Sequence, residues 1–283
     1  MTVDQREKGR RLRALHAGPR PFVIGNVWDG ASARIFAGLG FEALATSSYV
    51  AAATLGRVDG QLTRDEALAH VALIAGATEL PLSADLENGF GDEPAAAAEA
   101  IRRAAAVGAV GGSIEDVTGD PSAPLYERPL AVERVAAAAE AAHALPFPFT
   151  LTARSEGFVR GRPDLEETIW RLQAFEKAGA DVLFAPGLAD LAAVRAVCQA
   201  VSKPVNFMAG VPGRSFDLDA LAAVGVKRVS LAASAYRHAM GAVARAGREI
   251  RERGTFAFVD DTLTSAELKA LLTGGDAAAP RAR

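Results

Sequence analysis

Apolar residues in this chain fall into short runs that alternate with Ala-rich segments whose apolar positions recur every three to four residues. The short runs read as strands: PFVIGNVW (21–28), FEALATSS (41–48), LPLSADLE (80–87), VGGSIED (110–116), FTLTARSE (149–156), ADVLFAPG (180–187), KPVNFMAG (203–210) and VKRVSLAA (226–233). Between them, helical periodicity covers 30–38, 64–78, 94–107, 129–143, 164–178, 189–201 and 217–224, several of these opening on Pro, Asp or Ser. Gly40, Gly108, Gly179 and Gly225 each follow a helical segment and precede the next strand, where a left-handed C-terminal cap is expected. Strand, loop, helix, Gly, strand is the βα unit, and eight of them predict a (β/α)8 barrel. An open doubly wound sheet is the competing reading, weakened because no GxGxxG follows the first strand.

The polar residues collect where a barrel needs them, at the carboxyl ends of the strands. The third run ends in Asp85 and Glu87, the fourth in Glu115 and Asp116, the fifth in Arg154 and Glu156. Positions i and i+2 share a strand face, so Asp85 with Glu87, and Arg154 with Glu156, are expected to project together. Carboxylates crowded in this way repel unless they are protonated or share a cation. A hard divalent ion with oxygen ligands suits them, Mg2+ before Mn2+. The segment Asn88-Gly89-Phe90-Gly91 is then expected to turn the chain away without covering the site.

Composition bounds the function classes. The 283 residues are 50% hydrophobic with a formal net charge of -3, enough to bury one large core and with no basic excess for nucleic acid or an anionic membrane. No apolar run is long enough to span a bilayer, and no apolar run follows the basic stretch near the N-terminus, so a cytoplasmic location is expected. That basic stretch reads as a solvated helix with a weak stripe of Leu12 and Leu15. One cysteine, Cys198, excludes an intramolecular disulfide framework and reads as a core residue. The four histidines, His16, His70, His143 and His238, all fall in helical segments and are given no catalytic role.

Over about residues 20 to 240 the sequence resembles the isocitrate lyase and phosphoenolpyruvate mutase superfamily, through NVWDGASARIFAGLGFEAL, TSSYVAAATLGRVDG, ADLENGFG, SIED and TARSEGF. The resemblance implies a Mg2+-dependent barrel acting on a small 2-oxo or 2-hydroxy acid, as a tetramer that exchanges its last helix between subunits. It implies that Asp85 ligates the metal directly, with Glu87, Asp59 and Glu115 holding it through water. It implies too that Arg154 clamps the substrate carboxylate and that backbone amides around Thr46, Ser47 and Ser48 bind the same group. Glu87 stands where many relatives have Asp. Candidate catalytic residues are Arg154, Tyr49 and Glu115, with Tyr126 a second candidate proton donor. The domains expected are a catalytic barrel over 1–255, a helical extension over 256–273 and a disordered tail over 274–283.

Departures from the family narrow the chemistry. The loop VTGDPSAPLYERP (117–129), expected to act as a lid, has none of the Cys, Lys or His that lyase and phosphonate-acting members carry there, and Pro186 falls where the latter place a His. Chemistry needing a metal and a carboxylate clamp but little general acid remains, with oxaloacetate-type decarboxylation through a metal-stabilised enolate foremost. Retro-aldol cleavage, as of isocitrate or 2-methylisocitrate, or retro-Claisen cleavage, with an acid from elsewhere, and a non-catalytic 2-oxo acid binder, are the alternatives.

Overall fold

The computed structural model describes residues 3–211, 213 and 216–274. The tail beyond Gly274 lies outside the described residues. Eight parallel strands pair in sequence order and close between first and last: β1 (Phe22–Asn26), β2 (Ala43–Ala45), β3 (Leu82–Asp85), β4 (Gly111–Glu115), β5 (Thr150–Arg154), β6 (Val182–Phe184), β7 (Val205–Met208) and β8 (Arg228–Ser230). Closure excludes the open doubly wound sheet, since β1 pairs with β8 as well as β2.

Eleven α-helices surround or extend the barrel among the described residues: α1 (Gln5–Ala17), α2 (Gly30–Gly38), α3 (Ser48–Thr54), α4 (Arg64–Ala77), α5 (Pro94–Ala106), α6 (Arg128–His143), α7 (Leu165–Lys177), α8 (Leu191–Ala200), α9 (Leu218–Ala223), α10 (Ser234–Arg253) and α11 (Ser265–Thr273). Local chemistry starts them. Thr63 and Glu66 close a capping box at α4, and Asp164, Asp190 and Asp217 accept N–H bonds at α7, α8 and α9. The alanines of α5 and α6 are largely buried, letting these two helices pack closely. Helix α3 was not legible in the chain: Ser48 ends an apparent strand, yet β2 stops at Ala45 and the Ser47 hydroxyl caps a helix instead.

The N-terminal helix is no solvated appendage. Leu12 is fully buried with Phe22, Ile24, Ala43 and Val110, so α1 closes the end of the barrel opposite the strand termini. Gly9 lies so near Pro148 that an added Cβ would collide with its carbonyl oxygen. At the other terminus α10 is amphipathic but buries only Glu249, leaving Met240, Val243 and Ile250 exposed. α11 lies on α2, with Leu271 over Gly38. No helix among the described residues is long and apolar enough to cross a membrane.

His16 carries one consequence of this plug. Its Nδ1 bonds the Leu12 carbonyl at 2.8 Å, while Nε2 is buried without a partner. Burial, with the Arg228 charge adding to it, lowers the ring's pKa to about 3. The folded value lies below the unfolded one, so the unfolded chain takes the proton first. The loss of stability therefore begins near pH 6.5 and grows to ~4 kcal/mol toward pH 3. His16→Leu is expected to flatten the fall in urea-unfolding free energy between pH 7 and 4 without loss at pH 7.

Candidate functional site

Strands β3, β4 and β5 are neighbours in register, with Asp85 opposite Ser113 and Glu115 opposite Arg154, so their carboxyl ends meet at one side of the barrel mouth. Arg154 is the centre. Its Nη1 lies 3.0 Å from Asp85 Oδ1, Nη2 3.0 Å from Glu115 Oε2, and Nε 2.8 Å from Glu156 Oε1. The Phe184 ring covers the guanidinium at 5.2 Å. Burial acts against the charge on Arg154, but Glu156, Glu115 and Asp85 more than offset it and raise its pKa.

Asp85 is fully engaged. Its Oδ1 also accepts from the Ser113 hydroxyl at 3.2 Å, and its Oδ2 accepts from the Ser48 N–H at 3.0 Å. The Ser48 hydroxyl contacts Asp85 Oδ2 at 3.2 Å and Asp59 Oδ1 at 3.1 Å. The single hydroxyl proton is shared between the two carboxylates or donated to one of them at a time. Burial, with the negative charge of Asp85 adding to it, raises the pKa of Asp59.

Glu87 reaches this group by a different route from strand alternation. β3 ends at Asp85, and Glu87 adopts a left-handed conformation with φ of 49° in the turn that follows. One carboxylate oxygen is buried with no hydrogen-bond partner. Burial raises its pKa to about 7, with Asp85 and Asp59 adding to the effect. Glu115 is raised as well, burial first, with Glu156 and Asp85 adding and Arg154 and Arg160 opposing. The turn itself requires Gly89, since φ is +86° and a Cβ would lie 2.8 Å from the Ala97 Cα. Buried Arg134 holds it by donating to the carbonyls of Asn88, Gly91 and Asp92.

Glu87, Glu115 and Glu156 line the space at the mouth, and Asp59, Asp85, Ser113 and Arg154 border an adjoining cavity of about 340 Å³ that runs down the barrel past Asn26, Phe184, Asn206, Arg228 and Ser230. Thr46, Ser47, Ser48 and Tyr49 line it from the β2 end. The Thr46 N–H is already bonded to the Ser83 carbonyl and the Ser48 N–H to Asp85, which leaves Ser47 as the amide of the three without an acceptor among the described residues. Tyr49 is half exposed at the mouth. Tyr126 is elsewhere: it is buried, its hydroxyl donates to Asp92 at 2.6 Å, and its pKa is pushed up to about 12 by burial and then by that bond. That removes it as a proton donor to the cavity.

Asp116 also faces away. Its Oδ1 accepts from the Glu156 N–H at 2.9 Å and its Oδ2 from Arg171 at 3.2 Å, a buried structural pair. The loop beyond it is tied by a bridge between Val117 and Leu125, and Val117, Thr118 and Gly119 form part of the rim. Asn206, Arg228, Ser113 and Arg160 were missed in the sequence. The available signal was parity: Arg228 and Ser230 alternate with Val229 and Leu231, which turns a charged residue into the barrel.

The donor set fits a hard divalent cation: oxygen ligands only, a buried oxygen without a partner, and carboxyl groups whose pKa values are raised by burial and by one another. Among the described residues no three His, Cys, Asp or Glu side chains converge closely enough to hold an ion by themselves. That geometry suits one direct ligand supplemented by water and substrate oxygens.

Residues 12–251 match the phosphoenolpyruvate phosphomutase family. A Burkholderia cenocepacia J2315 protein, provisionally described as a lyase/mutase, superimposes with a TM-score of 0.92 at 51% identity, over 94% of this chain and 95% of its own. The 2-methylisocitrate lyase of Escherichia coli K12 is 29% identical over 90% of this chain and 88% of its own. The oxaloacetate decarboxylase of Marinomonas sp. MWYL1 is likewise 29% identical, over 94% and 92%.

Asp116→Ala leaves Arg171 buried without its carboxylate and is expected to cost ~3 kcal/mol in urea unfolding. The same change at a solvated loop acid would cost almost nothing.

Proposed function

The chain belongs to the phosphoenolpyruvate phosphomutase family, and we propose that it is a Mg2+-dependent lyase that breaks a carbon–carbon bond in a small 2-oxo or 2-hydroxy acid through an enolate, with decarboxylation of an oxaloacetate-type acid as its reaction. The observation that carries this reading is the carboxylate cluster around Arg154 opening onto a small cavity whose described lining contains no His, Cys or Lys. Decarboxylation suits such a lining because carbon dioxide leaves without a proton from a strong general acid.

Asp85 would hold the metal directly, with Glu87, Asp59 and Glu115 reaching it through water. When bound, the ion withdraws charge from the substrate carboxylate and 2-oxygen as the bond breaks. Arg154, whose nitrogens contact only acids of this cluster among the described residues, would offer a guanidinium edge to the same carboxylate where Asp85 serves as the metal ligand. The Ser47 N–H supplies a further donor beside it. Phe184 and the barrel wall keep the head group out of bulk water, which strengthens each of these contacts. The Tyr49 hydroxyl, at the mouth, can return a proton to the product carbon.

The test is product formation followed by NMR from oxaloacetate, isocitrate, 2-methylisocitrate and phosphonopyruvate, against enzyme-free controls. Mg2+-dependent pyruvate from oxaloacetate is expected, abolished by EDTA and reduced roughly 10³-fold in Asp85→Ala. Succinate from either isocitrate would move the assignment to retro-aldol cleavage. Binding without turnover of any of them would make the protein a 2-oxo acid binder.

The apolar face that α10 leaves uncovered supports a tetramer in which this helix is exchanged between subunits. Light scattering is expected to give about four times 29.4 kDa, and a monomer mass would refute the assembly.

A further inference from the structure

Two arginines face this cavity from the same hydrogen-bonded row of the barrel. Arg154 pairs with Phe184, Phe184 with Asn206, and Asn206 with Arg228. Their surroundings are opposite. Arg154 has a carboxylate on each of its three nitrogens, whereas Arg228 has no acid partner among the described residues. Its Nε donates to Asn206 Oδ1 at 2.8 Å, and its two Nη groups have no acceptor there. The Asn206 amide is itself fixed, since its Nδ2 donates to Ser230 Oγ at 2.9 Å, which turns its oxygen toward Arg228.

Arg228 is 5% exposed and lines the cavity deep in the barrel. Burial, with the charge of Arg154 adding to it, lowers its pKa to about 9, so it remains a cation at neutral pH. A buried, oriented and repelled cation with only one neutral oxygen beside it is unfavourable in the empty protein. A ligand anion would remove that penalty, and the fixed rotamer means little ordering would be needed to bind one.

We infer that Arg228, positioned by Asn206, forms a second anion subsite deep in the cavity that receives the distal carboxylate of a diacid. The inference rests on the proposed reading for the other end of that molecule, whose 2-oxo or 2-hydroxy acid head lies at the Arg154 cluster. It makes Arg228 a specificity-determining residue, selecting diacids over monoacids such as pyruvate. A distal carboxylate that departs as neutral carbon dioxide loses its charge in the transition state, so this contact acts mainly on ground-state binding.

The test compares wild type with Arg228→Met and Arg228→Lys, using Mg2+ with oxalate, which has the head alone, and with malate, which adds a distal acid. Calorimetry is expected to show malate weakened about 30-fold or more in Arg228→Met, oxalate weakened less than about three-fold, and part of the loss restored in Arg228→Lys. With oxaloacetate, KM should rise by a similar factor and kcat fall by much less. The ligand-free Arg228→Met protein should melt no lower than wild type, whereas a merely structural arginine would leave a less stable protein. Equal weakening of oxalate and malate, or of neither, overturns the subsite. If wild type binds neither acid, the proposed function fails, and inorganic phosphate decides the subsite alone. A thermal shift in wild type that is absent in Arg228→Met upholds it, and no shift in wild type rejects it.

Discussion

The contact of one guanidinium with three carboxylates is the constraint on which the barrel mouth depends. Asp85, Glu115 and Glu156 come from three different places in the sequence and each lies within 3.0 Å of an Arg154 nitrogen. Unit charges at such a distance in a partly buried setting interact by several kcal/mol, so bringing these acids together without the arginine would oppose closure of β3, β4 and β5. Asp59 and Glu87 lie at the edge of the cluster and have no arginine contact of their own among the described residues, and burial raises both. The site is therefore short of positive charge before anything binds, which is the electrostatic reason it suits a divalent cation.

Supporting layers keep that shortage in place. The Ser48 N–H and hydroxyl hold Asp85 from the start of α3, and the Ser113 hydroxyl holds it from β4. Arg134 ties down the turn after β3 through its carbonyls, and Arg171 takes up Asp116 so that this acid does not join the mouth. The buried arginines thus differ in what they lack. Arg171 is paired with acids of the fold, Arg134 has its Nη groups on backbone carbonyls but a buried Nε without a partner, Arg154 is shared among three acids, and Arg228 has no acid partner among the described residues.

The absence of Cys, Lys and His from the loop after β4 extends to the whole described lining of the cavity. The 340 Å³ space is walled by hydroxyls, the amides of Asn26 and Asn206, three guanidiniums and the carboxyl groups of Asp59 and Asp85, with apolar side chains such as Ile24, Phe184 and Met208 between them. Such a wall binds and polarises an acid far better than it protonates one, which joins the substrate class to the reaction class.

The eight strands, most of the surrounding helices and the residues at the strand ends could be read from the chain, because a period of two or of 3.6 and a capping side chain are set by residues close in sequence. Asp85, Glu115 and Arg154 were legible for that reason: each ends a strand whose phase is local. Glu87 was named correctly as a neighbour but by the wrong geometry, since its left-handed conformation follows from the Gly89 turn packing on α5. Whether Tyr126 faces the cavity, whether the N-terminal helix is solvated, and that α3 begins at Ser48 were decided by contacts between distant segments. Arg228 shows the division most clearly. Its inward phase is a property of β8 alone, whereas its lack of a counter-charge among the described residues exists only once closure sets β8 between β7 and β1, a condition that no local pattern records.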